Sequence, residues 1–345
     1  MLKWKRGGLV KKAGIIGCGN IAQVHGWVLQ RLGEAELVAV CDVDRKRAEV
    51  LAQQYGCDNV KIYEDWQELC KSKLDVVHIC TPHFLHVPMA VEAMKQGKAV
   101  FMEKPCAISR ETYAELRQID SQMPGKLGVC FQNRYNETTQ VMERMVKEGR
   151  IGELRGARAF VTWRRDEGYY RDSDWKGKWD TEGGGVLINQ SIHTLDLLLH
   201  FLGKPERVAA TMANHHLRDC IQVEDTMEAW MAFSEGKRAC FYASNGYVAD
   251  APVIIELQGE KGRITMNGSE VTLWTPEKGS MHFICEKKSG IGKGYWGCGH
   301  EACIKDFYDC LEKGREFGVN LKSAENTFDT MMGIYEMTGI KQSVN

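Results

Sequence analysis

The sequence predicts an α/β domain with a doubly wound parallel sheet, followed by an α+β domain with a large, mainly antiparallel open sheet. Over the first 130 residues, short apolar runs alternate with stretches whose apolar residues recur at helical spacing. After about residue 155, runs with two-residue periodicity dominate, and glycine-containing turns join them. A chain of 345 residues accommodates about two domains. We place them at 1–125 and 126–345, with the carboxyl-terminal helix able to pack back on the first.

Each strand and helix is predicted from its own periodicity. In the first domain, strands are expected at residues 12–16, 36–41, 75–80, 99–102 and 127–131, and helices at 21–31, 45–55, 87–96 and 110–123. In the second domain, strands are expected at 156–163, 207–213, 226–233, 237–244, 253–257, 262–266 and 270–275. Helices follow at 301–311 and from residue 323, a serine, to about 337.

Composition and charge exclude several classes of protein. The 45 Lys and Arg residues balance 46 Asp and Glu residues, so a net charge of -1 provides no field for nucleic-acid binding. No apolar run of the sequence approaches the roughly 20 residues that a membrane span needs. The apolar stretch 13–19 is short and includes three glycines, so it cannot form a signal-peptide core. We expect a cytoplasmic protein that binds neither nucleic acid nor a membrane.

The 13 cysteines include no Cys-x-x-Cys pair, which is typical of reduced thiols rather than of a disulfide framework. The tightest group, Cys298 and Cys303, encloses Gly-His-Glu-Ala and begins an apolar-periodic helix. A zinc site there would need a ligand from elsewhere in the chain. We therefore expect no metal site.

The sequence Gly17-Cys-Gly19-Asn20-Ile21-Ala22 directly follows the first predicted strand and opens the first helix. In that position it fits the Gly-x-Gly-x-x-Ala fingerprint of a Rossmann dinucleotide-binding domain. Gly17 allows the tight turn, Gly19 lets the backbone approach a pyrophosphate, and Ala22 allows the helix to pack closely on the strand. The amides at the start of the helix favour the anion. The alternative is a glycine-rich turn without a ligand.

Asp42 ends the second predicted strand, about 20 residues after the fingerprint, where a carboxylate accepts hydrogen bonds from the adenosine ribose. Arg45 and Lys46 lie near enough in sequence to hold the 2′-phosphate of NADP. The sequence therefore predicts NAD as the cofactor, with NADP as the alternative.

Two loops follow later strands at the same edge of the predicted sheet. Thr81 and Pro82, with His86 nearby, come after the third strand, where contact with a cofactor is expected. His86 is equally consistent with a helix-start residue. Glu103 and Lys104, which we also expect to contact the cofactor, follow the next strand and precede a proline. A cis bond there would aim Lys104 inward. The alternative for that loop is a solvated surface turn.

A glycine-rich segment at 182–185 leads into a helical pattern that carries three polar candidates, Asn189, His193 and Asp196. A spacing of four puts Asn189 and His193 on one helix face. Asp196, one turn beyond, can orient the imidazole of His193 or reach a substrate hydroxyl. Each of the three, taken alone, is more often a structural polar group.

Together these motifs resemble the Gfo/Idh/MocA family of oxidoreductases. The resemblance is carried by the glycine fingerprint, Thr81-Pro82, Glu103-Lys104-Pro105, Gln132-Asn133-Arg134, the glycine-rich segment that leads to His193, Val223-Glu224-Asp225 and Gly259-Glu-Lys-Gly-Arg263. It implies a Rossmann domain joined to a domain with a large, mainly antiparallel sheet. It also implies hydride transfer between NAD or NADP and a secondary hydroxyl of a sugar, an inositol or a sugar derivative.

The resemblance puts Lys104 and His193 near the nicotinamide and the reacting carbinol. The chain departs from inositol dehydrogenase-like members at Asn189, where they carry an acid. Because an amide cannot relay a proton, Asn189 can only orient the site, and we choose His193 as the general base. Lys104 then stabilises the developing alkoxide or shares the proton.

Candidate substrate-binding residues lie mainly in an aromatic and basic stretch that precedes this helix. Arg164 and its neighbour Arg165 can clamp a carboxylate or a phosphate, and the stretch resembles that of nucleotide-sugar uronate 3-dehydrogenases. The full set is Arg134, Arg164, Tyr170, Trp175, Trp179 and Asp196. The alternative is that the aromatic residues cover the back of the sheet or an oligomer interface.

The sequence leaves two other functions open. The same residues can serve a glycoside hydrolase that keeps NAD bound and oxidises the sugar transiently. The chain can also be a non-catalytic sensor of NAD or sugar, although the presence of both Lys104 and His193 favours an enzyme. A large open sheet is an aggregation hazard unless it is covered, so we expect a homodimer or homotetramer through the second-domain sheet.

Overall fold

The computed structural model of the protein describes residues 10–285 and 298–340. These residues form two compact units. The first contains 10–132 and 298–324, and the second contains 133–285 and 325–340. The boundary expected after residue 125 lies just before this division. Residues 298–324, which the sequence analysis assigned to the second domain, belong instead with the first.

The first unit is built on a six-stranded parallel sheet in the order β3-β2-β1-β4-β5-β6. Its strands are β1 (Lys11–Ile16), β2 (Ala35–Cys41), β3 (Lys61–Tyr63), β4 (Val76–Ile79), β5 (Ala99–Glu103) and β6 (Leu127–Cys130). Its helices are α1 (Asn20–Arg31), α2 (Arg45–Tyr55), α3 (Trp66–Lys71), α4 (His86–Lys95), α5 (Arg110–Gln122) and α9 (Gly299–Lys313). The strand order reverses between β1 and β4, where sheets of this kind bind ligands.

Aromatic packing explains why α9 belongs with the first unit. The ring of Phe307 on α9 lies 5.1 Å from that of Phe101 on β5 and 5.4 Å from that of Phe317. All three side chains are buried. Because a parallel sheet must be covered on both faces, an apolar helix from a distant part of the chain can complete its core.

The second unit is built on an eight-stranded sheet in the order β14-β13-β12-β11-β7-β10-β9-β8. Its strands are β7 (Leu154–Thr162), β8 (Arg207–Ala213), β9 (Thr226–Ala232), β10 (Arg238–Ser244), β11 (Ile254–Gly259), β12 (Arg263–Asn267), β13 (Glu270–Thr275) and β14 (Gly279–Ile284). Strands β7 and β10 pair in parallel, and the other neighbours pair antiparallel. The predicted fold class is confirmed.

The helices of the second unit include α6 (Glu137–Lys147), α7 (Glu167–Arg171) and α8 (Ile192–Leu202), which a π-helical turn, Val186–Ser191, precedes. Helix α10 (Leu321–Thr338) begins two residues before the predicted Ser323, because the Asn320 side chain accepts a hydrogen bond from the Ser323 amide and caps the helix. Strand β3, strand β14 and helices α3, α6 and α7 were not predicted. In the described residues, none of the helices has the length and apolar character to cross a membrane.

Candidate functional site

The glycine-rich loop joins β1 to α1 at the carboxyl edge of the parallel sheet. Gly17 has φ +86°, and a Cβ there would lie 2.7 Å from the backbone of Cys80, so the position requires glycine. A Cβ at Gly19 would meet nothing within 4 Å. Helix α1 starts at Asn20 with no acidic residue in its first turn. The amides of this turn lack intrahelical acceptors, so the loop fits the pyrophosphate of a dinucleotide.

The carboxylate of Asp42 stands beside this loop. One oxygen accepts a hydrogen bond of 2.6 Å from the Cys18 amide, and the other accepts one of 2.8 Å from the Asp44 amide. Each oxygen keeps a further lone pair for a ribose hydroxyl. The guanidinium of Arg45 bonds instead to two carboxylates, those of Glu49 and Glu64. This pairing reduces its attraction for a 2′-phosphate and favours NAD.

His86 connects the two loops that follow β4 and β5. Its Nδ1 lies 2.8 Å from the carbonyl oxygen of Pro105, and its Nε2 lies 2.9 Å from that of Thr81. The side chain is buried, which lowers the pKa of the imidazole, while the two carbonyl oxygens favour the charged form. Both ring nitrogens therefore have protein partners. Contact of His86, Thr81 or Pro82 with the cofactor stays a prediction.

Glu103 ends β5 and is buried, and Lys104 follows it half-buried. The Glu103 carboxylate accepts a hydrogen bond of 3.0 Å from Nε2 of His25. Burial opposes the charge on Glu103, but the hydrogen bond and charge of His25 hold the pKa of the carboxyl well below its usual range. The Lys104–Pro105 peptide bond is cis, as the sequence analysis allowed. Glu103, a predicted cofactor ligand, thus has an internal partner in a histidine that the sequence analysis did not single out.

In the second unit, Asn189 lies in the π-helical turn and donates a hydrogen bond of 2.5 Å to Glu182. Glu182 is fully buried and also accepts a hydrogen bond from the Gly177 amide. Burial raises the pKa of Glu182 to about 7, although both hydrogen bonds act in the opposite direction. His193 follows four residues later, in the first turn of α8, and is half-buried. Glu182 was not among the predicted site residues and was noted only as the start of a glycine-rich segment.

A second buried carboxyl, Glu224, holds the start of this helix. It accepts hydrogen bonds from the amides of Gly185 and Leu187 and from the hydroxyl of Tyr335. Burial raises its pKa to about 7. A Cβ at Gly185 would lie 1.9 Å from the Glu224 carbonyl oxygen, so this close approach requires glycine. At Gly185, the glycine-rich segment therefore allows close packing against the backbone of Glu224.

Arg134 and Asp196, both predicted to bind substrate, bind each other. Two hydrogen bonds, of 2.8 and 2.6 Å, join the guanidinium to the carboxylate, and Thr327 donates a third to Asp196. Asp196 is fully buried. Its carboxylate was expected to orient His193 or to reach a substrate hydroxyl. The structure pairs it with Arg134, and the predicted roles of both residues at the substrate stay predictions.

The aromatic and basic stretch is partly internal. Tyr170 accepts a hydrogen bond from Asn245, and the Trp179 indole donates one to a backbone carbonyl; both side chains are buried. Substrate contact by Tyr170 and Trp179 stays a prediction. Trp175 is half-buried and Arg164 is exposed, so both remain candidates.

Arg165, which the sequence analysis weighed as part of an anion clamp, has an internal counter-charge. Its guanidinium is buried and forms an ion pair of 3.0 Å with Asp250. The same guanidinium lies 5.0 Å from the ring centroid of Trp163 and 5.3 Å from that of Tyr169. Cation–π contact and ion pairing together hold Arg165 in place.

Comparison with known proteins matches both units. Residues 11–131 match a family model described as "Oxidoreductase family, NAD-binding Rossmann fold", and residues 139–265 match one described as "GFO/IDH/MocA C-terminal domain". An inositol 2-dehydrogenase of Rhizobium meliloti is 28% identical over 255 residues, which cover 73% of this chain and 74% of the relative. A D-glucoside 3-dehydrogenase of Escherichia coli is 32% identical over 198 residues, which cover 56% of this chain and 54% of the relative.

Solved structures resemble the chain over nearly its whole length. The WlbA dehydrogenase from Bordetella pertussis, solved with NADH and UDP-GlcNAcA, has a TM-score of 0.82 and 24% identity and covers 96% of this chain and 97% of its own. A levoglucosan dehydrogenase, solved with NADH and levoglucosan, has a TM-score of 0.85 and 18% identity. The match covers 96% of this chain and 98% of the levoglucosan dehydrogenase. At these identities the likeness shows the fold.

Proposed function

The chain belongs to the GFO/IDH/MocA family of NAD-dependent oxidoreductases, and from that premise we propose that it transfers hydride between NAD and a secondary hydroxyl of a sugar, inositol or sugar derivative. The observation that carries the proposal is the pairing of the glycine loop with Asp42 at the carboxyl edge of the parallel sheet. These residues would hold the pyrophosphate and the adenosine ribose of NAD, which would supply a nicotinamide able to accept or donate the hydride. The side chains of the protein then bind and orient the substrate and exchange its hydroxyl proton.

In this proposal His193 is the general base that takes the hydroxyl proton, because an imidazole titrates near neutral pH. Asn189 orients the site, and its hydrogen bond to Glu182 holds its amide in one direction. Lys104 stabilises the developing alkoxide or shares the proton. The assignment of His193 and Lys104 draws on the resemblance to the family and on their half-buried positions.

The substrate class is supported by the relatives. Their names specify inositol, glucosides and glucose 6-phosphate, all of which carry secondary hydroxyls. Because Asp250 already neutralises Arg165, the proposal favours a neutral sugar or inositol over a uronate. Trp175 remains the aromatic candidate for stacking on a sugar ring.

The test is a panel of inositols, sugars, uronates and nucleotide sugars, each incubated with the purified protein and NAD or NADP. Reduced cofactor is followed by its absorbance at about 340 nm. We expect stoichiometric NADH with a neutral sugar or inositol and less reduction of NADP. Release of free sugar from glycosides without net NADH would replace the proposal with the glycoside-hydrolase alternative. No reaction with any compound, despite NADH binding, would favour the sensor.

We also propose that the protein is a cytoplasmic homodimer or homotetramer that pairs through the second-domain sheet. On that sheet Trp230 of β9 is 42% exposed and Ile284 of β14 is 80% exposed. Exposed apolar residues on a sheet favour pairing with another copy. The thirteen cysteines are thiols, as in a reducing compartment. Light scattering coupled to size-exclusion chromatography tests the assembly, and a monomer at micromolar concentration would contradict it.

A further inference from the structure

The segment that carries Asn189 and leads to His193 changes its helical form between these two residues. It begins with the π-helical turn Val186–Ser191, and α8 (Ile192–Leu202) then continues as an α-helix. A π-helix closes its hydrogen bonds between residues five apart rather than four apart, so its turn is wider. A wider turn rotates the side chains within it about the helix axis relative to those that follow. The direction of Asn189 relative to His193 therefore depends on the turn staying π-helical.

Three consecutive amides at the start of this turn bond to a single residue, Glu224. The amides of Gly185 and Leu187 donate to the two carboxylate oxygens of Glu224, over 2.9 and 3.0 Å. The amide of Val186, between them, donates to the backbone carbonyl of Glu224 over 3.0 Å. The first amides of a helix have no acceptor within the helix. Glu224 therefore supplies acceptors that the helix itself cannot offer.

The next amide, that of Ile188, bonds to Tyr335 on α10. The Tyr335 hydroxyl accepts a hydrogen bond of 3.2 Å from this amide and donates one of 2.8 Å to the Glu224 carboxylate. The Tyr335 ring lies 5.7 Å from that of Trp179 at nearly a right angle, which limits where the hydroxyl can be. Ile188 and Tyr335 are 0% and 6% exposed, so water has little access to their contact. One buried hydroxyl thus links α10 to the π-helical turn.

The backbone group that Tyr335 holds lies directly before Asn189. The Asn189 side chain leaves the turn toward Glu182. At the end of the turn, the Ser191 hydroxyl donates a hydrogen bond of 2.8 Å to a carbonyl oxygen five residues earlier, which fits a widened turn. A displacement of the Ile188 amide would therefore move the backbone from which the Asn189 side chain departs.

We propose that Tyr335 is a positioning residue for hydride transfer, acting through the Ile188 amide on the direction of Asn189 and His193. The inference rests on the function proposed above. Without the hydroxyl, the Ile188 amide loses its acceptor and the turn contracts toward an α-helical one, which rotates Asn189 relative to His193. Because a misplacement of about 1 Å strongly slows a reaction, this rotation lowers kcat although no catalytic group is removed.

Tyr335→Phe tests the proposal, because it removes the hydroxyl and keeps the ring. We expect kcat and kcat/KM each to fall at least about tenfold, while KM and the Kd for NADH change less than about threefold. Steady-state kinetics on the substrate found in the panel and fluorescence titration give these values. A purely structural role would lower the melting temperature but leave the kcat of the folded variant unchanged.

Thr338→Val is the matched control. Thr338 lies three positions further along α10, and its hydroxyl donates to the backbone carbonyls of Ile334 and Tyr335. The substitution also removes one hydroxyl from this helix, but none that bonds to the π-helical turn. We expect it to keep the kcat of the wild type. Circular dichroism checks that both variants are folded.

Two further measurements do not depend on activity. In the wild type, the amides of residues 185–188 should be protected from hydrogen exchange, which mass spectrometry of peptic fragments measures. In protein labelled with ¹³C-histidine, the ring resonances of His193, assigned with His193→Gln, should shift in Tyr335→Phe and not in Thr338→Val.

The outcomes separate this inference from the proposed function. Rapid exchange of the wild-type amides overturns the inference even if Tyr335→Phe does not fold, and so do unshifted His193 resonances in the folded variant. If the wild type reduces NAD and Tyr335→Phe keeps its kcat, the positioning role is overturned and the dehydrogenase stands. A wild type that reduces NAD with no compound of the panel overturns the proposed function, and the positioning role falls with it.

Discussion

Asn189 donates a hydrogen bond of 2.5 Å to the buried carboxyl of Glu182, so the amide that was predicted to orient the site has a buried acid as its partner. The two residues are seven positions apart. The contact gives Asn189 a fixed orientation. It also makes the position sensitive to charge, because Glu182 is completely removed from water.

Asn189→Asp should therefore destabilise the protein in a pH-dependent way. Two carboxyls in one buried site cannot both ionise easily, so the folded-state pKa of the pair rises further. We expect a loss of about 2 kcal/mol at about pH 8 and a smaller loss at about pH 5, measured by urea unfolding. The double variant Asn189→Asp, Glu182→Gln should recover most of the loss at the higher pH. Equal losses at both pH values would contradict the argument.

Glu182 and Glu224 should each lower the stability of the protein as pH rises from about 4.5 to about 7. Burial raises the pKa of both carboxyls to about 7 in the folded state. Within this window these two carboxyls keep protons in the folded state that the unfolded chain has released. His86 and His300 act in the opposite direction, because burial lowers the pKa of their imidazoles. The difference in melting temperature between Glu182→Gln and the wild type should therefore shift in favour of the variant as pH rises through this window, whereas the exposed control Glu235→Gln should show no such shift. The same pH dependence in the wild type and both variants would show that Glu182 does not contribute.

Arg134→Met should cost about 3–5 kcal/mol in the free energy of unfolding, because it leaves the buried Asp196 carboxylate without its counter-charge. Arg134→Met combined with Asp196→Leu should cost less than the single change. A double-mutant cycle by chemical denaturation measures the difference. If Arg134→Met instead left stability unchanged and raised only the KM for substrate, the earlier assignment of Arg134 to substrate binding would be preferred.

Asp42→Asn should weaken NADH binding about tenfold, since a charge-assisted hydrogen bond to the ribose is replaced by a neutral one. NADPH binding should weaken less or improve, because the negative charge that repels the 2′-phosphate is gone. Fluorescence titration with both cofactors gives the ratio of the two Kd values. An unchanged ratio would mean that Asp42 serves only the backbone amides of Cys18 and Asp44.

Lys104→Ala should lower kcat by at least about 100-fold while NADH affinity changes only a few-fold, because proton transfer and alkoxide stabilisation are lost but the nucleotide loop is untouched. Lys95→Ala, at the exposed end of α4, is the control with the same change of charge. Steady-state kinetics on the substrate found in the panel gives kcat. Retention of kcat in the Lys104 variant would remove it from the chemistry.

Much of the architecture could be predicted from local patterns. Helix α2 (Arg45–Tyr55) and strands β8 (Arg207–Ala213) and β13 (Glu270–Thr275) begin and end as expected. Strand β3 has only three residues, and α3 and α7 have six and five, which is too short for periodicity to be recognised. Helix α6 was also not predicted, although five of its eleven residues are buried.

The nucleotide-binding loop was predictable because its parts lie within one strand–helix–strand unit. Gly17, Gly19, Ala22 and Asp42 follow each other in about 25 residues, and local backbone geometry explains each of them. The partners of the other candidates come from far along the chain: Arg134 meets Asp196 across 62 positions and His25 meets Glu103 across 78. Such pairs carry no local signal, since periodicity tells which side chains are inside but not which of them touch. Only the tertiary packing of whole elements, such as α9 on the first sheet, determines which of these polar groups become partners.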